Sequence, residues 1–211
     1  MRMGMGAAVA AGAAAVLAVS LGAVASTAVT VRTWTVRPGG AVTATAGRTT
    51  LTDTTTGNSL ACPSSTLSGT LKSGSGLPGT GIGSIATVPS IYCPTPAGPS
   101  FTLMARDLPW HLNVSSYTAS TGVVTGSLSH LQIAFTGPGC RAVIDGTSGT
   151  AGDGSVEVSY TNSTGRLKLL TADGNLHFYN VMGCFGLINS GDDAALSARF
   201  TVSPRQAITS P

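Results

Sequence analysis

In Val156-Glu157-Val158-Ser159-Tyr160, and again in Leu196-Ser197-Ala198-Arg199-Phe200, every second side chain is apolar. A strand turns successive side chains to opposite faces, so this spacing describes antiparallel strands with one face packed and one wet. The same strand character marks Thr33 to Val36, Ala41 to Ala46, Phe101 to Ala105, Leu128 to Phe135, Arg166 to Leu169 and Leu176 to Val181. Turn residues punctuate these runs about every ten residues, at Pro38-Gly39-Gly40, Gly57-Asn58, Gly137-Pro138-Gly139, Asp145-Gly146, Asp153-Gly154, Asn162 to Gly165 and Asp173-Gly174. The pattern predicts an all-β fold, an antiparallel β-sandwich or barrel. Thr and Val are abundant where a helix would prefer Leu, Glu and Lys, and a short helical turn near Asp192 to Leu196 is the most expected.

The first 25 residues read differently. Arg2 precedes an uncharged apolar stretch from Ala7 that ends Ala23-Val24-Ala25 before Ser26. A basic start, an apolar run and an A-x-A site describe a signal peptide helix over 1–25, with cleavage leaving 26–211 as one all-β domain or two β halves, about 26–120 and 121–211. The apolar run is long enough that an uncleaved anchor is the alternative. No later apolar run escapes interruption by Gly, Pro, Thr or charge, so no membrane span is expected after cleavage. The expected location is secreted, extracellular or associated with the cell wall.

Export would carry Cys62, Cys93, Cys140 and Cys184 into an oxidising compartment, where disulfides persist. Four cysteines allow three pairings. Cys62 with Cys93 and Cys140 with Cys184 are preferred because each pair then stays within one half of the chain. Each closure would stabilise by roughly 3–4 kcal/mol on the chain-entropy account. A four-cysteine zinc site would want a C-x-x-C pair, and the sequence has none.

Charged residues make up only 9% of the chain, and the formal charge of +3 falls to +2 without Arg2. That is far from the clustered basic excess of a nucleic-acid binder, so nucleic acid is not an expected partner. Solubility must come from Ser, Thr and backbone rather than from charge. Lysine occurs only at Lys72 and Lys168 against nine arginines, a bias that suggests a high-GC bacterial genome.

The strings that suggest chemistry each lack their context. Leu77-Pro78-Gly79-Thr80-Gly81 spells a sortase signal in mid-chain, without the hydrophobic tail such a signal precedes. Gly74-x-Gly76-x-x-Gly79 fits a dinucleotide fingerprint, but Pro78 lies inside it and no helix follows. The glycine-dense segment from Ser73 to Gly83 is read as a structural loop, or as a strand pressed against another backbone. A serine protease would need Gly-Asp-Ser-Gly and a His beside a Cys; Gly152-Asp153-Gly154-Ser155 only scrambles the first, and no G-x-S-x-G elbow occurs. Glycoside hydrolysis would need paired carboxylates. After the leader Glu157 is the one glutamate and alternates outward, while Asp145, Asp153, Asp173 and Asp192 read as turn formers. Copper oxidation of polysaccharide requires an N-terminal His, and Ser26 would stand there.

His111, His130 and His177 are not spaced as a ligand pair, so a metal centre would need them to converge in the fold. A calcium site would draw on Asp145, Asp153 and the oxygens between them. The expectation is no catalytic residue, no metal and no cofactor. Asn113-Val114-Ser115 and Asn162-Ser163-Thr164 are glycosylation sequons that a bacterial host would leave bare. Among Trp34, Trp110, Tyr92, Tyr117, Tyr160 and Tyr179, most are expected in the core. Trp110, entered through Leu108-Pro109, is the candidate binding residue, on which a sugar would stack, with burial as the alternative.

Trp34 through Pro38-Gly39-Gly40, Gly69-Thr70-Leu71-Lys72 with Ile82-Gly83-Ser84-Ile85, Leu108-Pro109-Trp110, Gly137-Pro138-Gly139-Cys140 and Gly186-Leu187-Ile188-Asn189-Ser190-Gly191-Asp192 resemble a group of uncharacterised secreted actinobacterial β-rich proteins. The resemblance spans nearly all of 26–211 and implies export and a shared fold, with no assigned activity. The sequence therefore suggests a non-enzymatic β protein that binds an extracellular ligand of cell wall, glycan, lipid or protein. The alternatives are a hydrolase with an unrecognised site and a lipid or small-molecule carrier with a large apolar cavity.

Overall fold

The computed structural model describes residues 32–95, 98–149, 151–170 and 174–211. The signal peptide expected over 1–25, and Asp173 of one expected turn, lie outside them. The described chain has no helix and forms β1 (Trp34–Arg37), β2 (Gly40–Asp53), β3 (Ser59–Cys62), β4 (Ser65–Leu71), β5 (Gly74–Leu77) and β6 (Gly83–Thr87). It continues through β7 (Ile91–Cys93), β8 (Phe101–Arg106), β9 (Trp110–Thr118), β10 (Val123–Gly137) and β11 (Cys140–Asp145). The last strands are β12 (Gly154–Thr161), β13 (Arg166–Leu170), β14 (His177–Met182), β15 (Ala194–Ser203) and β16 (Ala207–Thr209).

Eight strands pair antiparallel in the order β12-β13-β15-β2-β4-β6-β9-β10, and β10 pairs back onto β12 to close a barrel. Closure leaves those strands without an open edge. Alternation chooses the face: Val156, Val158 and Tyr160 of β12 and Leu196, Ala198, Phe200 and Val202 of β15 all point into the barrel and are buried. Glu157 lies between two of these, on the outer face. Where two strands press together, glycine is required. A side chain at Gly69 would strike the Ser84 carbonyl and one at Gly126 the Asn113 carbonyl, and both glycines sit at register shifts in the ladder.

A second sheet grows out of the barrel. The first part of β10, to Leu131, pairs with β9 and β12, whereas Gln132 to Thr136 pair with β8 and β11. The change of partners falls at His130, whose φ of 66° belongs to a bulge in the strand. Beyond β10 the sheet continues through β11 to β14 on one side and through β8 to β7 on the other. Likewise β2 pairs with β4 up to Ala46 and with β3 from Thr49 onward. The inner face of this sheet, with Leu103, Phe135, Ile144 and Phe178, is buried against the barrel.

A three-stranded sheet, β16-β1-β5, adds Trp34, Val36 and Ile208 to the same core. Hydrogen bonds tie it down. The Tyr160 hydroxyl donates to the Gln206 carbonyl, and the Asn162 side chain bonds both the N–H and the carbonyl of Ile208.

Both disulfides form as the spacing suggested, Cys62–Cys93 between β3 and β7 and Cys140–Cys184 between β11 and the segment after β14. The helical turn expected near Asp192 to Leu196 is absent. Ala194 and Ala195 instead open β15 opposite Asp53 and Thr52, because ladder pairing outweighs the helical preference of alanine. No helix among the described residues is long and apolar enough to cross a membrane.

Candidate functional site

The segment from Gly183 to Gly191 leaves β14 and is held at several points. Pro138 and Gly139 make the tight turn between β10 and β11, which places Cys140 beside Cys184. Gly183 packs onto the Gly139 backbone so closely that no side chain would fit there. Further along, the Leu187 N–H donates to the Cys184 carbonyl, and the Leu187 carbonyl accepts from the Thr56 hydroxyl and the Asn58 amide. Gly191 then returns to Phe178 by a backbone hydrogen bond. On this anchored loop Phe185 is 90% exposed, in a left-handed conformation with φ 53°, and Leu187 and Met182 beside it are also exposed. A bulky residue held at positive φ is uncommon.

Beside the loop lies a cavity of about 160 Å³, lined by Leu51, Leu60, Phe101, Phe135, Phe178, Leu187 and Ile188, with Asn58, Ser59 and Thr95 as its polar lining. Asp53 also lines it and is only 1% exposed. Its Oδ1 accepts the N–H groups of Thr55 and Thr56, while its Oδ2 is buried and receives no donor. The fold explains the neighbour of that oxygen. Ala194 pairs with Asp53, so Asp192, two residues earlier, lies diagonally across the ladder on the same side. Two carboxyl groups can share a hydrogen bond only when one keeps its proton. Burial, together with that contact to Asp192, holds the Asp53 carboxyl above the usual value of 3.8. Asp192, against its own desolvation, is held low by hydrogen bonds from the Asn189 side chain and from Asp53.

Of the two, Asp53 is the one held toward its protonated form and Asp192 the one held toward its ionised form. The sign of its pH effect follows from linkage. A folded-state value raised above the unfolded one contributes stability that is complete below about 3.8 and lost as pH rises through the folded value. Asp53→Asn keeps the acceptor for Thr55 and Thr56 and offers an N–H to Asp192. It is therefore expected to melt a few degrees higher than the parent at pH 7 and within error of it at pH 3, as measured by thermal unfolding at the two pH values.

The residues singled out in sequence fall elsewhere. Trp110 is 4% exposed and spends its indole N–H on the Arg106 carbonyl, so it offers a ligand no open ring face. His111 and His130 do meet, their rings stacked at 4.8 Å, but His177 is apart and pairs its Nδ1 with the exposed Asp193 at 2.8 Å. Among the described residues no group of three or more His, Cys, Asp or Glu side chains is placed to hold a metal ion.

Asp145 and Asp153 come together at the base of one loop. The Asp145 carboxylate already takes the N–H groups of Gly146, Gly152 and Asp153 and the Gln132 amide, which is the work of a loop anchor. Asp153, partly exposed, is held below the ordinary carboxylate value, first by its hydrogen bond with the Ser148 side chain. Two apolar cavities, one of about 50 Å³ inside the barrel and one of about 40 Å³ between the barrel and the second sheet, each have room for little more than a water molecule or two, far from the several hundred Å³ of a small-molecule pocket.

Sequence reasoning passed over both Asp53 and Phe185. Asp53 precedes Thr54-Thr55-Thr56-Gly57-Asn58 and reads as an ordinary turn residue. Phe185 carried the better signal, a bulky side chain set between Gly183-Cys184 and Gly186. Comparison with protein-family models, with curated proteins and with solved structures gives no significant match to this chain.

Proposed function

We propose that the protein is a secreted, non-enzymatic binding module that engages a cell-surface or extracellular component through the Phe185 loop. The observation that carries this reading is the 90% exposure of Phe185 on a loop fixed by Cys140–Cys184 and by hydrogen bonds from Thr56 and Asn58. A flexible loop could fold its phenyl ring away from water, whereas this one is held out. Covering such a ring with a partner would remove roughly 1.5–3 kcal/mol of apolar exposure, and the fixed backbone limits the entropy lost on binding. Two disulfides support an extracellular setting, where such bonds persist. The low charge content suits contacts made by apolar and hydroxyl groups rather than by ion pairs.

The test is retention of the purified protein on immobilised peptidoglycan, on glycan arrays and on lipid vesicles, with Phe185→Ser compared alongside. Phe185 is exposed, so the variant should fold normally. Loss of about 2 kcal/mol, roughly a 30-fold weaker interaction, is expected on whichever surface retains the parent. Retention that Phe185→Ser leaves unchanged, or no retention on any of them, would overturn the assignment. Hydrolysis of an offered glycan would instead favour an enzyme.

A further inference from the structure

The outer wall of the barrel gathers cations that the sequence scatters. Arg166 and Lys168 on β13 and Arg199 on β15 all point outward and are exposed. Antiparallel register sets Lys168 directly opposite Arg199. On the next strand the ladder slips: Ala198 pairs with Thr49 but Phe200 with Ala46, so that Gly47 and Arg48 together stand opposite Arg199. Ala46 and Thr49 are buried on either side, and the extra residue of this bulge leaves Arg48 exposed on the outer face beside Gly47. Lys168, Arg199 and Arg48 therefore form a row across the neighbouring strands β13, β15 and β2, their backbones one strand interval of about 4.8 Å apart. Arg166 stands one outward position along β13 from Lys168.

Like charges directly opposite in a ladder repel one another, and the row keeps them together at that cost. Glu157 is the one outward carboxylate on β12, β13, β15 and β2, and it lies off the row, opposite Leu170. The rest of the face around the row is rich in hydroxyls, with Ser159, Thr161, Thr201, Ser203, Thr43 and Thr45 outward. No aromatic side chain points outward from these four strands, so a nucleic-acid base finds no ring to stack on. The exposed large apolar residues, Tyr92, Leu108, Met182, Phe185 and Leu187, all lie on other parts of the chain, so the face offers a bilayer nothing to insert. Cations set in a row rather than around a point suit a chain of anions, and hydroxyls between them suit sugar.

We propose that this face binds an acidic polysaccharide, its carboxylates laid along Arg48, Arg199 and Lys168 and its hydroxyls against the surrounding Ser and Thr. A guanidinium can hold each carboxylate with two parallel N–H donors. The face is distinct from the contact surface assigned to Phe185, and either can hold without the other.

Biolayer interferometry of the intact protein on immobilised polygalacturonate tests it, with neutral dextran, single-stranded DNA and phosphatidylglycerol vesicles as comparison surfaces. Retention on polygalacturonate is expected to weaken several-fold as salt rises from about 50 to about 200 mM, with none on dextran. Arg199→Ser and Lys168→Ser should each weaken it about tenfold. Both variants should melt no lower than the parent, since each relieves the repulsion within the row. Lys72→Ser removes the same charge beyond the far end of β4 and should leave retention unchanged. No retention on polygalacturonate, equal retention on dextran, a loss no greater in Arg199→Ser than in Lys72→Ser, or tighter binding to DNA or to the vesicles would overturn the proposal. Phe185→Ser should leave polygalacturonate retention unchanged, so failure here is separable from failure of the surface assignment.

Discussion

Replacing Cys140 and Cys184 with serine is expected to lower the free energy of unfolding by about 4 kcal/mol. The bond links residues 44 apart in sequence, and closing a loop of that length restricts the unfolded chain by about this much. Cys62–Cys93, with a separation of 31, is expected to contribute slightly less. Small domains have only about 5–15 kcal/mol of net stability in total, so removing both bonds should leave the protein largely unfolded at 37 °C. Urea unfolding of the two double-serine variants and of the cysteine-free protein measures this directly. The Cys140 and Cys184 variant carries a second expected consequence, because that bond also fixes the base of the Phe185 loop. Its ligand retention should fall along with that of Phe185→Ser, whereas the Cys62 and Cys93 variant should lose stability alone. A change below about 1 kcal/mol in either double variant would mean that the unfolded chain gains little freedom from the missing bond.

Trp34→Ala is expected to cost about 3–5 kcal/mol, the range for truncating a large buried aromatic residue. Trp34 is 2% exposed and is the largest fully buried side chain among the described residues. It stands in the short strand β1, held by β16 on one side and β5 on the other, with Gly79 close against its indole. The neighbours cannot close the resulting void, because the barrel wall beside it is fixed by its own ladder. The melting temperature should fall by roughly 6–20 °C. Trp34→Phe should recover much of that loss. A melting temperature unchanged by Trp34→Ala would show that the three-stranded sheet lies outside the cooperative unit.

The strands that could be read from sequence were those whose inward residues are large and whose outward residues are polar, such as β12 with Val156, Val158 and Tyr160. Those that could not be read have hydroxyl or small residues on their inward face. In β4, Ser65 and Leu67 both point inward and are buried, and the Thr49–Ser65 hydroxyl pair makes an interior contact from side chains that read as surface. The second part of β2, from Gly47 to Asp53, is similarly hidden by its threonines. The choice between sandwich and barrel rested on the pairing of β10 with β12, which no local pattern encodes. Cysteine pairing was legible because separation along the chain limits which closures are economical. The site was not. Asp53 and Asp192 are far apart in sequence and acquire their meaning only when β15 pairs with β2. Trp110, chosen for its amphipathic ring, is drawn inside because Arg106 supplies the acceptor its indole needs.

Because β10 gives one part of its length to the barrel and the rest to the second sheet, the two layers have a continuous backbone in common. The same is true of β2 through its successive partners β4 and β3. Neither layer can melt while the other persists without breaking hydrogen bonds inside a single strand. Unfolding should therefore follow one transition whichever layer is probed. The walls around Asp53, spanning Leu51 of β2 and Phe135 of β10, therefore belong to both layers at once, and the space between them can open only when the whole molecule does.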